Sequence, residues 1–274
     1  MSPVNSMDYS GKDTVLDVIR NESADFFAIV DDPKNWNVQT RCTEWEVRDM
    51  VGHMIDVTEG YLSRWESARK QQARDTAGLL VMADSLNKNA QSHRRLSREE
   101  AINRLKADYA TMMDIFEKLT PDEWSNFIVT HPYMGGLPTF FYPAFHVMDY
   151  GVHTWDMRWG LGEKARKLDE RTAGVLVPYM LYALLPSTVD APSAAGVDVE
   201  YGIEVAGEWG GKWRATVKDG KFEAKPTDNF EGCNAVFSFD PSDFVLTAFQ
   251  RFDGGTARGD RETIDKVRKL FFRI

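Results

Sequence analysis

Cysteine is almost missing from this chain: Cys42 and Cys233 are the only two in 274 residues, and they lie far apart. That excludes a disulfide framework and a thiolate zinc cluster, so any metal must be held by histidine and carboxylate. Long hydrophobic runs are missing too. No uninterrupted apolar stretch approaches twenty residues, and the opening "MSPVNSMDYSGKDTV" carries no apolar signal segment; the expectation is a soluble, cytoplasmic protein with no membrane partner. No basic run of five or more residues occurs, and the formal net charge is -9. Phosphate backbones and anionic lipid therefore meet no general attraction, and nucleic acid is not an expected partner. What is present is apolar: 43% hydrophobic and 12% aromatic residues are ample for a packed core, at a length suited to two domains or one large one.

Helical periodicity runs through the first 165 residues or so. "TVLDVIRNESADFFAIV" places Val15, Ile19, Phe26, Phe27 and Val30 on one face, and "DDPKNW" stops it. "TEWEVRDMVGHMIDVTEGYLSRW" predicts a long helix, with Thr43 and Glu46 spaced as a capping box. Ser97 and Glu100 repeat that spacing before a third helix with Ile102, Leu105, Tyr109, Met112 or Met113, and Phe116 on its buried stripe. "TPDEW" puts Pro121 just inside a short helix start, "HPYMGGLPTF" breaks the chain, and a fourth long helix ends by "RWGLGEK". Four long helices with a long irregular connection after the second predict a bundle. From about residue 170 one apolar helix, "RTAGVLVPYMLYALL", precedes strand patterns in "VDVEYGIEVAG", "KWRATVKDG", "KFEAKPT" and "NAVFSFD". Gly210-Gly211 and Asp219-Gly220 occupy hairpin positions there, and helices over "SDFVLTAFQRF" and "RETIDKVRKLFF" follow. The expected class is a two-domain α+β protein: a helical bundle over residues 1–165 and an α+β domain with an antiparallel sheet over 166–274, divided where the period changes from 3.6 to 2.

One apolar segment is unusual in its polar content. "HVMDYGVHTWDM" carries two histidines and two aspartates without a lysine or arginine. On a helix His146, Asp149, His153 and Asp156 share a stripe, which is either a hydrogen-bonded core seam or half of a metal site. Asp149 and His153, four apart, can aim both heads at one ion, and His53, bracketed by apolar residues in "RDMVGHMIDV", is the best third donor from a facing helix. Three N/O ligands leave a fourth position open on zinc, the catalytic arrangement. His146 is the alternative ligand, or a donor that orients Asp149. Asp156, near a helix C-terminus where a carboxylate is poorly placed, is expected in a structural salt bridge. His93 in "SHRRLS" reads as solvated, and His131 in "THPYMGG" as a loop residue at a possible substrate entrance.

These motifs bring in a family. "RCTEWEVRDMVGHM", "DYGVHTWD" and "ADSLNKNA" resemble segments of the DinB-like mycothiol-dependent maleylpyruvate isomerase family, and the strands followed by "FVLTAFQRFDGGTARGD" resemble its sterol-carrier-like C-terminal domain. The resemblance spans nearly the whole chain. It implies a DinB-like four-helix bundle whose metal, most simply zinc, is held by His53, Asp149 and His153, with mycothiol as the thiol cofactor. It also implies thiol binding near Asp84 and Asn87, and an arginine reaching the active site from the C-terminal domain, matched by Arg251 with Arg258 as competitor. The family usually has glutamate where this chain has the shorter Asp149.

The function so implied is S-transfer to, or thiol-assisted isomerisation of, a small polar electrophile, by a monomer or homodimer, with Arg251 or His131 steadying developing negative charge. The residues agree by omission. Neither cysteine has a nearby histidine in sequence to activate it, so an external thiol would supply the sulfur. The rival classes are a metal-dependent hydrolase and a non-catalytic small-molecule or lipid carrier with a degenerate metal site.

Overall fold

The protein is described by a computed structural model covering residues 5–273. The chain divides into two compact units, one spanning residues 6–168 and the other beginning at Asp169.

The first unit is helical because its apolar residues recur every three to four positions. Its elements are α1 (Lys12–Asp31), α2 (Val47–Arg69), α3 (Leu79–Ser92), α4 (Arg98–Lys118), the short α5 (Pro121–Asn126), a hairpin of β1 (Ile128–His131) and β2 (Gly135–Pro138), and α6 (Phe141–Gly160). Helices α1, α2, α4 and α6 form the bundle, α1 lying against α6 and α4, and α2 against α4 and α6. Val15, Ile19, Phe26 and Val30 of α1 and Ile102, Leu105, Met112 and Phe116 of α4 are buried as the periodicity predicts.

Local chemistry sets the helix starts. Ser97 and Glu100 cap α4 reciprocally, as do Thr120 and Glu123 at α5 with Pro121 in its first turn. The start of α2 differs from expectation. Its capping box is Glu46 with Asp49, and Thr43 lies outside the helix, because residues 38–46 bend back through an isolated bridge between Gln39 and Glu46. The expected irregular connection after the second helix is itself largely helical, since α3 occupies residues 79–92 and packs on α2. Helix α6 is buried almost all round from Phe141 to Met157, as befits a helix at the centre of its unit.

The second unit begins with α7 (Glu170–Tyr179), which runs through a wide turn over Met180–Leu184 into α8 (Leu185–Ser187), followed by α9 (Ala191–Ala194). Then come β3 (Asp198–Val205), β4 (Gly211–Lys218), β5 (Lys221–Pro226), β6 (Ala235–Phe239), α10 (Pro241–Ala248), β7 (Thr256–Gly259) and α11 (Arg261–Val267). Asp219 and Gly220, both at positive φ, join β4 to β5 in the tight turn their sequence predicts. The sheet order is β5-β4-β3-β6-β7. It is not wholly antiparallel: β6 crosses over to lie parallel to β3, Ile203 opposite Phe237, and β7, hidden in the polar run "TARG", closes the edge. Gly174 lets Trp209 lie on α7, where a β-carbon would come within 2.3 Å of the indole. Among the described residues no helix is long and apolar enough to cross a membrane.

Candidate metal centre

The site grows from two helices fixed at defined levels. Asp49, fully buried in the first turn of α2, accepts both the Nε and Nη2 of Arg94 at 2.7 Å and also the Glu46 backbone N–H. This bidentate clamp pins the helix start to the segment after α3. One turn on, Gly52 allows α3 to approach: a β-carbon would stand 2.3 Å from the Ala90 carbonyl oxygen. His53 follows directly. On α6 the four-residue spacing puts Asp149 and His153 on one face.

His53, Asp149 and His153 each offer a ligand atom within 4.8 Å of the others, and all three are buried. Two atoms bound to one ion at about 2.1 Å stand at most about 4.2 Å apart, so the triad needs only a small contraction to close on a shared ion. The Asp149 Oδ2 is buried with no hydrogen-bond partner, and burial pushes its carboxyl up to about 8. An unpaired carboxylate oxygen beside two imidazoles in an apolar setting is a donor set that fits a divalent cation.

Around the triad stands a shell of supporting groups. His153 Nδ1 lies 3.2 Å from Asp156 Oδ2, and that same oxygen receives the Cys42 thiol at 3.4 Å. A histidine and a thiol thus meet on one carboxylate oxygen of Asp156. The Trp45 ring lies 4.8 Å from that of His53 and 5.8 Å from that of His153, and its indole N–H donates to Asn87 at 2.8 Å. Two turns beyond His53, Tyr61 is buried, and burial first and the Asp149 charge second raise its hydroxyl well above the usual tyrosine value. Sequence reasoning passed over Tyr61; its only signal is that it lies eight residues on from His53 along a face already known to be interior.

The remaining candidates fall elsewhere. His146 is not among the triad: its ring sits 5.1 Å from Phe116, 5.9 Å from Tyr61 and 6.0 Å from Tyr150. Burial lowers it to about 4, the Tyr142 carbonyl one turn back offsetting a little of that. His131 ends β1 and is buried, not placed in an open loop; its Nδ1 accepts the N–H groups of Tyr133 and Met134 at 3.2 Å, and burial lowers it to about 4. His93, expected in solvent, is buried in the turn after α3, where α2 packs on it. Asp84 is exposed on α3, one turn before Asn87. In the second unit Arg251 is buried just past α10, its backbone N–H bonded to the Leu246 carbonyl, whereas Arg258 is exposed on β7. Cys233 is half-buried, and burial raises its thiol.

The whole chain is similar in fold to the crystal structure of a mycothiol-dependent maleylpyruvate isomerase, at 12% identity and a TM-score of 0.59, covering 91% of this chain and 94% of that one. A histidine-to-alanine mutant of that enzyme matches to the same extent. A looser likeness, with a TM-score of 0.46 and 13% identity, covers 54% of this chain and 93% of the colibactin self-resistance protein ClbS in complex with double-stranded DNA. Among curated protein sequences none matches. Residues 16–158, which hold the bundle helices and all three members of the triad, match the mycothiol maleylpyruvate isomerase N-terminal domain, and since that is more than half of the chain, the protein belongs to this family.

Proposed function

We propose that this protein is an enzyme that uses a low-molecular-weight thiol, mycothiol, to isomerise a small polar electrophile, or to transfer the thiol's sulfur to it, at a divalent metal centre formed by His53, Asp149 and His153. The observation that carries the reading is the triad itself, two imidazoles and one buried, unpaired carboxylate on facing helices. Zinc is the first choice for such a donor set; bound there it would keep a coordination position open and lower the pKa of a thiol that occupied it. The chain's own groups do the rest. With two neutral imidazoles and the Asp149 carboxylate as ligands, a divalent ion would keep a positive charge at its open position, partly offset by the Asp156 carboxylate behind His153, and so attract an anionic sulfur. Trp45 closes one side with an apolar face, which strengthens electrostatic interactions there by excluding water.

The sulfur is external on this reading. The Cys42 thiol is engaged as a donor to Asp156, and the Cys233 thiol is held above its ordinary value by burial, so neither is set up as a nucleophile. Addition to an activated double bond followed by elimination gives isomerisation; displacement or simple addition gives S-transfer. Asp84 and Asn87 on α3 are proposed to contact the thiol, and Arg251 to recognise a carboxylate of the substrate or thiol through a bidentate contact. His131 is a weaker candidate for charge stabilisation, because its Nδ1 is occupied by two backbone N–H groups.

The test is turnover of maleylpyruvate, and of simple electrophiles, with and without mycothiol, before and after chelation. Activity that requires both thiol and metal and survives Cys233→Ser supports the proposal. Undiminished turnover in thiol-free buffer moves the reading to a metal-dependent hydrolase. Absence of metal and thiol binding, with an apolar ligand retained by the second unit, moves it to a carrier.

A further inference from the structure

Asp156 is fully buried one turn beyond His153 on α6. Its Oδ2 stands 3.2 Å from His153 Nδ1 and 3.4 Å from the Cys42 thiol, and its backbone carbonyl accepts the Arg41 N–H at 3.0 Å. A neutral imidazole has one N–H and one lone pair. With a carboxylate at Nδ1, the proton belongs on Nδ1 and the lone pair on Nε2; the opposite tautomer would set a lone pair against the carboxylate oxygen and present a proton, which binds no cation, to the triad. The three-residue spacing on one helix means that the orienting group travels with the ligand it orients. From the segment before the α2 cap, Cys42 donates its thiol to that same carboxylate oxygen, and the Arg41 N–H holds the Asp156 backbone carbonyl.

We propose that Asp156 is the positioning residue of this site: it fixes His153 as the Nδ1–H tautomer so that Nε2 is the ligand atom, and Cys42 together with the Arg41 backbone fixes Asp156. This rests on the reading of His53, Asp149 and His153 as a metal centre. It gives Cys42 a task that is neither nucleophilic nor redox. The thiol donates one hydrogen bond to an oxygen already shared with the histidine, so a hydroxyl can replace it and a methyl cannot.

Two measurements test this, neither of them an activity. The first is the nitrogen NMR spectrum of histidine-labelled, metal-free wild-type protein, in which the His153 proton is expected on Nδ1 by about ten to one or more, given the strength of a hydrogen bond to a charged group. The second is zinc affinity by competition with a chromophoric chelator. Asp156→Asn, close in shape but uncharged, should bind zinc ten- to about a hundredfold more weakly; Cys42→Ser should stay near wild type, and Cys42→Ala should fall between. His153→Ala is the control. If it binds zinc as wild type does, the metal reading itself fails. If it loses zinc while Asp156→Asn binds normally, the metal centre stands and the positioning role is overturned. Should Asp156→Asn not fold, the wild-type spectrum decides alone, and a proton found on Nε2 overturns the inference.

Discussion

Replacing Asp149 by asparagine separates the burden that this carboxylate places on the metal-free fold from the benefit it gives with metal. Burial lifts its carboxyl from 3.8 to about 8. The folded value therefore lies above the unfolded one, and the native state holds the proton more tightly. The metal-free protein is least burdened below about pH 4 and loses stability steadily as pH rises toward 8. A span of about four pH units at about 1.4 kcal/mol each sets a ceiling of about 6 kcal/mol above pH 8, of which about 4 is already present at pH 7. The asparagine amide carries no charge at any pH, so the metal-free Asp149→Asn variant should be more stable than metal-free wild type, by a margin that widens from pH 6 to pH 9. Zinc should narrow the gap, because wild type gains about 2.7 kcal/mol at a hundredfold excess over Kd, less than its burden at pH 7, while the variant gains little. Urea titrations of chelator-treated and zinc-loaded proteins at three pH values read both effects. A metal-free Asp149→Asn protein less stable than wild type at pH 9, or an equal zinc shift in both proteins, would refute the reasoning.

Other perturbations have equally definite outcomes. His131 and His146 are both held near 4 by burial, below their unfolded value, so stability is complete above about pH 6.5 and drains away as pH falls toward 4. Each should contribute a loss of about 2 kcal/mol between pH 7 and pH 5, and His146→Phe, which suits its aromatic surroundings, should flatten that slope; an unchanged slope speaks against a neutral buried His146. Asn87→Ala removes the acceptor of the Trp45 indole and should cost about 1 kcal/mol in denaturant midpoint terms while weakening mycothiol binding in calorimetry; wild-type thiol affinity would take Asn87 out of the thiol site. Arg251→Lys should raise KM for a carboxylate-bearing substrate about tenfold, equivalent to about 1.4 kcal/mol, with metal content unchanged, and wild-type kinetics would remove Arg251 from recognition.

Much of the fold is legible where one local rule acts alone. The reciprocal caps at Ser97 and Thr120 and the Asp219-Gly220 turn follow from a few neighbouring residues. Legibility fails where a distant partner decides. Thr43 has the spacing of a cap, yet Glu46 takes that place because the Gln39 bridge bends the chain before it. β7 has no apolar alternation of its own and exists because β6 offers it an edge. At the site, the four-residue spacing of Asp149 and His153 and the interior setting of His53 are visible in the sequence. The identity of His153's partner is not. A carboxylate three residues along the helix predicts proximity, but how that carboxylate is held depends also on Cys42, which arrives from 114 residues away. His93 shows the converse: polar neighbours in "SHRRLS" suggest solvent, and only the packing of α2 over that turn encloses it.

The metal centre is tested most directly by elemental analysis of protein purified without chelator or nickel affinity. We expect about one zinc-type ion per chain in wild type and little in His53→Ala, Asp149→Asn or His153→Ala, each checked for folding by circular dichroism. Equal metal content in wild type and in all three folded variants would contradict the assignment of this centre.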